Sequence, residues 1–208
     1  MKVYDKYLLL EKHFNDFSAR RINQLEFKHT LNKFGIKQQR NDKFMVRIRI
    51  PGGNIPTQQF RDIAVAASKH RVGYIHFSTR QTIQIRDVQA EQMIPLLKTI
   101  TNYRIPFVGG CNNFNNIIAS PDSGIGEDTI FDVMPFVHNL TQIMFNWDES
   151  LKLPRKMKLG FFSSAKDEYM ATLQDLGFIA VENNGQRGFK VYSGGGMGRK
   201  VGNWNVAF

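Results

Sequence analysis

Basic side chains stand at spacings that gather positive charge around an anion. Arg47 and Arg49 alternate in Phe44-Met45-Val46-Arg47-Ile48-Arg49-Ile50, Lys156 and Lys158 alternate in Arg155-Lys156-Met157-Lys158, and Arg80 lies in Phe77-Ser78-Thr79-Arg80-Gln81. Alternate residues of a strand share a face, so each pair can point two cations in one direction. Guanidinium and ammonium groups hold oxyanions and carboxylates through charge-assisted hydrogen bonds. The competing reading of either pair is a solvated strand face, the usual place of charged side chains. Arg80 differs, because a short loop between two apolar runs projects it from a rigid support. Gly194-Gly195-Gly196-Met197-Gly198 follows a strand-like run. Glycine lets a backbone approach a flat ligand or a phosphate closely, although a structural turn explains the same residues. The segment lacks the G-x-G-x-x-G spacing of a dinucleotide site, and the chain has no Walker lysine pattern, no G-x-S-x-G and no H-E-x-x-H. The five histidines, His13, His29, His70, His76 and His138, show no metal-binding spacing, so no metal site is expected from them.

The elements that carry these residues can be read from periodicity. Phe44, Val46, Ile48 and Ile50 alternate with Arg47 and Arg49, and Pro51-Gly52-Gly53 ends that strand. Phe60, Ile63, Ala64 and Ala67 recur at helical spacing, Gly73 to Phe77 and Thr82 to Arg86 are strand-like, and Met93, Leu96, Leu97 and Ile100 predict a helix in which Pro95 is tolerable only near the first turn. The order β-α-β-β-α is half of a ferredoxin-like arrangement and leaves a sheet edge for a partner. Residues 1 to 40 read as one or two helices or an extended arm. The run 109–116 is a glycine- and asparagine-rich loop, with a domain boundary near Pro121. Beyond it, Ile130, Met134, Val137 and Leu140 predict a helix that Pro135 kinks or delays, Lys156 to Phe162 reads as an alternating strand, and Asn183-Asn184-Gly185 signals a hairpin.

Composition bounds the class. The chain has 208 residues, 42% hydrophobic content and a formal net charge of +10. It can bury a normal core, and its charge asks for an anionic partner: nucleic acid, an acidic protein, a polycarboxylated cofactor or a small oxyanion. One cysteine, Cys111, excludes an internal disulfide framework and an all-cysteine metal site built from one copy of the chain. The N-terminal segment lacks the apolar run of a secretory signal, and no stretch reaches the roughly 20 apolar residues of a membrane span. A cytoplasmic location without membrane contact is expected.

Five segments together resemble the siroheme-dependent sulfite and nitrite reductases. Lys43 to Gly53 resembles that family's first strand and Pro-Gly-Gly turn, and Phe77 to Gln84 its T-R-Q-x-x-Q segment. Asn116-Ile117-Ile118-Ala119-Ser120-Pro121 is similar to the N-V-x-x-S-P loop, Leu153 to Lys158 to the L-P-R-K-x-K strand, and Gly188 to Gly198 to the G-F-x-V-x-x-G-G-G-x-G ending. The matches run in order from about residue 33 to residue 199.

The resemblance implies an α+β chain, an α/β sandwich: a helical arm over 1–40, a ferredoxin-like half domain over 41–120, and part of a second, siroheme-binding α+β domain over 121–208. It implies that Arg80, Lys156 and Lys158 surround the substrate oxyanion, sulfite or nitrite, and that Arg47, Thr79, Gln81, Asn116, Gly194, Gly195 and Gly196 line the siroheme. An electron donor, ferredoxin or a reductase subunit, would be a partner. Two departures matter. Asn115 stands where the family commonly has Arg. The family's C-x5-C and C-x3-C ligands, which hold a 4Fe-4S cluster, lie past the glycine-rich segment and have no counterpart here. The resemblance therefore implies that the cluster and turnover need a C-terminal half or second subunit, and that this chain is inactive alone. The alternative is a non-catalytic module that binds a tetrapyrrole or an oxyanion. A nucleic-acid partner is disfavoured, because an RNA-reading sheet exposes aromatic side chains on its central strands, where this sequence puts Arg47, Arg49, Thr82 and Gln84.

Overall fold

The computed structural model describes residues 3–105, 114–147, 153, 155–196, 199–200 and 203–204. The chain divides into two compact units, one formed by Met1–Ile50 with Asn54–Asn113 and the other by Pro51–Gly53 with Phe114–Phe208. Both mix helices with sheet, which gives the α+β class.

The first unit contains α1 (Val3–Ser18), α2 (Gln24–Lys33), β1 (Ile36–Gln38), β2 (Phe44–Arg49), α3 (Thr57–Lys69), β3 (Tyr74–Phe77), β4 (Thr82–Val88) and α4 (Ala90–Asn102). Its sheet runs β1-β2-β4-β3 and is antiparallel throughout. The alternation read from sequence fixes the register: Ile48 faces Ile83, Val46 faces Ile85, and Arg47 faces Gln84. Val46, Ile48, Ile83 and Ile85 are buried against Ile63 and Ala66 of α3 and Met93, Leu96, Leu97 and Ile100 of α4. Leu10 and Phe14 of α1 and Phe27 and Leu31 of α2 complete the same core. A capping box starts α2: the Asn23 Oδ1 accepts from the Leu25 and Glu26 amides at 2.9 and 3.0 Å, while the Asn23 amide donates to Glu26 Oε2 at 3.1 Å. Pro95 lies inside α4 rather than in its first turn. An interior proline costs a helix about 3 kcal/mol, and full burial of Met93, Leu96, Leu97 and Ile100 offsets it, at roughly 1.5–3 kcal/mol per buried aliphatic side chain.

The second unit contains β5 (Ile118–Ala119), α5 (Met134–Asn146), β6 (Leu159–Phe162), α6 (Glu168–Ala171), β7 (Leu176–Asn183), β8 (Gln186–Ser193) and a short pair, β9 (Arg199–Lys200) and β10 (Asn203–Trp204). Its larger sheet runs β5-β6-β7-β8, parallel up to β7 and antiparallel between β7 and β8. Pro135 occupies the first turn of α5, as a delayed start requires. Asn184 and Gly185 form the two-residue hairpin loop with φ of +51° and +76°, the left-handed pair that a primed turn needs. The expected alternation over Lys156–Phe162 is not found. The strand is only Leu159–Phe162 and all four residues are buried, because a parallel strand is covered on both faces.

These burials set an ordering of stability. Truncating Ile83→Ala, at a fully buried position paired with Ile48, is expected to cost about 2–5 kcal/mol in urea unfolding. Phe77→Ala, on the edge strand and 63% exposed, should cost less than about 1 kcal/mol.

Candidate functional site

In the first unit, the sheet face turned away from the helices carries the cations. Arg47 and Arg49 of β2 alternate with the core residues there, beside Thr82, Gln84 and Arg86 of β4. Arg49, the obvious candidate for a solvated position, is 4% exposed, and Thr82, its cross-strand neighbour, is 3% exposed. Sequence alternation assigns a side chain to a face but does not say whether that face is covered, so the sequence placed both in solvent. Burial, then the neighbouring charges of Arg47 and Arg80, push the Arg49 guanidinium down from its ordinary value to about 9. Three arginines thus act on one another at the end of β2, an arrangement that favours an anion.

Arg80 reaches that end from the β3–β4 turn. Ser78 builds the turn: its Oγ accepts from the Arg80 and Thr82 amides at 3.3 Å each and lies 2.6 Å from the Thr82 hydroxyl, while the Ser78 amide donates to the Thr82 carbonyl at 2.9 Å. Gln81 takes φ of +52°, a left-handed conformation that is strained for a residue without a short polar side chain. Thr79 is exposed, and Arg80 and Gln81 are half-buried. The structure therefore brings Arg47, Thr79, Arg80 and Gln81 into one neighbourhood with Arg49, which the sequence paired with Arg47, and adds Ser78, which sequence reasoning did not assign.

In the second unit, the remaining predicted residues meet at one edge of the sheet. The edge holds the starts of β5, β6 and β7 and the end of β8, since Leu176 pairs with both Leu159 and Ser193. Phe114 bridges Met157 and Ile118 pairs with Gly160, so Asn116 and Lys158 lie on adjacent segments between the two pairings. Asn116 is buried, Lys158 half-buried and Lys156 exposed. Asp175 organises this edge and was missed, because an acid before a strand reads only as a turn residue. Its carboxylate Oδ2 accepts from the Lys158 amide at 2.6 Å, and its carbonyl accepts from the Gly194 amide at 3.0 Å. Gly194 is exposed with φ of +85°, and Gly196 is half-buried. A Cβ on Gly195 would fall 2.2 Å from the Thr172 carbonyl oxygen and 2.4 Å from that of Gln174. Packing against the chain's own backbone thus accounts for Gly195, as the turn reading proposed. Met197, Gly198 and Cys111 lie outside the described residues, as do 109–113 of the predicted loop.

Comparison with known proteins decides the family. A model of the nitrite/sulfite reductase ferredoxin-like half domain matches residues 36–103, and one of the nitrite and sulphite reductase 4Fe-4S domain matches residues 110–207. The chain belongs to the siroheme-dependent nitrite and sulfite reductase family. It is 25% identical over 182 residues to a ferredoxin–nitrite reductase of Leptolyngbya laminosa, covering 84% of this chain and 36% of that protein. A sulfite reductase [NADPH] hemoprotein beta-component of Nitrosomonas europaea is 26% identical, with 76% and 32% covered. The chain spans about a third of the length of these relatives. Its fold matches the Mycobacterium tuberculosis NirA protein with a TM-score of 0.78 at 16% identity, covering 97% of this chain and 40% of NirA.

The family depends on siroheme and a 4Fe-4S cluster, and the residues present fit the two groups differently. Arginines and amides on the sheet face turned away from the helices suit the carboxylates at a siroheme periphery. The cluster does not fit this chain: four thiolates are needed, the sequence holds one cysteine, and the described residues contain no group of three or more His, Cys, Asp or Glu placed to hold a metal. Among the described residues no helix is long and apolar enough to cross a membrane.

Two measurements test this geometry. Asp175→Ala should cost about 1 kcal/mol, the net worth of one hydrogen bond to a half-buried amide, and speed hydrogen exchange at Lys158, whereas Asp175→Asn should retain most of the protection. In the fold the Arg49 guanidinium is pushed down to about 9, well below its ordinary value in an unfolded chain. The charged form is therefore penalised in full below about pH 9, and the penalty is relieved as pH rises. Relative to Arg49→Met, the wild-type chain should gain stability between about pH 8 and pH 10.5 in urea titrations, and a flat difference would contradict the assignment.

Proposed function

We propose that this chain is the siroheme- and oxyanion-binding portion of a nitrite or sulfite reductase, with the cluster-bearing portion supplied by further sequence or a second subunit. The observation that carries the reading is Arg49, a guanidinium removed from water beside Arg47 and Arg80. Burying like charges together is unfavourable in the bare protein and becomes favourable when a polyanion joins them. Siroheme, when bound, supplies the iron at which the oxyanion is reduced.

The chain's own residues bind and neutralise. Arg47 with Thr79, Gln81, Asn116 and the Gly194–Gly196 backbone would hold the macrocycle, and Arg80 with Lys156 and Lys158 would attract the sulfite or nitrite. Fixed cations stabilise the charge that accumulates on a substrate during reduction, and the lysine ammonium groups hold protons that oxygen release consumes. Asn115, in place of an arginine, leaves one fewer permanent charge for that task. The electron donor would be ferredoxin or a reductase subunit, in keeping with the names of the relatives, in a cytoplasmic setting.

A second reading, a tetrapyrrole- or oxyanion-binding module without catalysis, is favoured by Asn115 and the single cysteine. An absorption titration of the purified chain with siroheme tests the tetrapyrrole binding that both readings share. Saturable binding that weakens about tenfold in Arg80→Ala, equivalent to one lost charge-assisted hydrogen bond, is expected, without multi-electron reduction of nitrite or sulfite. Absence of binding would defeat both readings. Turnover by the unaccompanied chain would refute its dependence on a cluster-bearing portion.

A further inference from the structure

A pocket walled by phenylalanine opens between the end of α1 and the start of α4, on the helix side of the first unit's sheet. Its volume is about 560 Å³, and Phe14 and Phe17 of α1, Phe27 of α2 and Phe44 of β2 form its walls. Arg20, just past α1, and Glu91, in the first turn of α4, also line it, and both are exposed. The ferredoxin-like half-domain match begins at residue 36. Three of the four rings and the arginine therefore come from the helical arm that precedes it, and Phe44 belongs to the core face of β2, not to the face that carries the cations.

The rings hold one another in place. Phe27 stacks on Phe17 with centroids 4.0 Å apart and planes within 3° of parallel, and Phe14 meets Phe27 edge-on at 5.0 Å and Phe44 at 6.0 Å. Phe14, Phe27 and Phe44 are buried in the core while Phe17 is only partly buried, so the walls are preformed and one ring stays open to solvent. A concavity of this size, apolar inside and edged by a few charged groups, is the usual form of a small-molecule site. The two charges at its mouth are opposite in sign. Neither Arg20 nor Glu91 makes an ion pair among the described residues, whereas the neighbouring Arg21 is taken by Asp16 at 3.0 Å.

We propose that this pocket binds a free aromatic α-amino acid. The ring lies against Phe14 and Phe17, the α-carboxylate accepts hydrogen bonds from the Arg20 guanidinium, and the α-ammonium donates to the Glu91 carboxylate. A neutral apolar ligand would leave both charges unused, and a purely acidic or purely basic one would meet a charge of its own sign. A zwitterion with an aromatic body matches the walls and both charges together. The site does not depend on the tetrapyrrole reading above.

Titration calorimetry on the purified chain tests the proposal with four ligands: L-phenylalanine, phenethylamine without the carboxylate, 3-phenylpropionate without the ammonium, and L-alanine without the ring. L-phenylalanine should bind saturably, the two single-charge analogues roughly tenfold or more weakly, the scale of one charge-assisted contact, and L-alanine not at all. Arg20→Gln should weaken L-phenylalanine by that factor without weakening phenethylamine, and Glu91→Gln should do so without weakening 3-phenylpropionate. Both side chains are exposed, so unchanged melting transitions are expected, and Lys28→Gln, exposed on α2, serves as a charge control. Equal affinity for the three aromatic ligands, L-phenylalanine binding untouched by either charge variant, or no binding of L-phenylalanine would overturn the site. Tighter binding of N-acetyl-L-phenylalaninamide than of the free amino acid would also overturn it, in favour of a peptide anchored by an aromatic residue. All of these outcomes leave siroheme binding to be read separately by its own titration.

Discussion

The pairing of β2 with β4 is the constraint on which the first unit depends. Once Ile48 is set opposite Ile83 and Val46 opposite Ile85, the core is defined on one face, and Arg47, Arg49, Gln84 and Arg86 have nowhere to go but the other. A strand cannot bury Ile48 without turning its neighbours outward together. The site cations are therefore consequences of the same hydrophobic register that stabilises the fold. Burial of Arg49 adds an electrostatic cost that the core must carry.

The second unit solves a similar problem by topology. Asn116, Lys158, Asp175 and Gly194 are far apart in sequence, yet parallel pairing brings three strand starts and one strand end to a single sheet edge. Asp175 closes that edge with one side-chain and one backbone acceptor. Such an edge offers backbone and side-chain donors without requiring a dedicated loop, and it accounts for glycine following β8: Gly195 is needed by the Thr172 and Gln174 carbonyls whatever ligand is present.

Much of this was legible in the sequence. Strict alternation over 44–50 and 82–86, helical spacing over 60–67 and 93–100, and the Asn-Gly pair correspond to β2, β4, α3, α4 and the β7–β8 turn. Period fails where burial is complete: Leu159 to Phe162 carries no alternation because both faces are covered. It also fails where the element is too short to repeat, as in β1, which has only three residues. Pro95 misled because the penalty of a proline is local while the burial that offsets it is tertiary. Among site residues, motif resemblance singled out Arg47, Arg80, Lys156 and Lys158, but the burial of Arg49 and the bond from Lys158 to Asp175 depend on chain segments that no local pattern relates.

The β7–β8 hairpin has an evolutionary corollary. Every residue from Leu176 to Asn183 is matched in register with one from Gln186 to Ser193, and the two-residue turn at Asn184-Gly185 leaves no slack. Adding one residue to either strand alone, unless a bulge takes it up, would slide Gly194 past Asp175 and reverse the facing of everything beyond the insertion. Without a bulge to absorb the extra residue, this hairpin can lengthen or shorten only by matched pairs, one residue on each strand, so the distal turn acts as a length gauge for a sheet edge eight residues away along each strand.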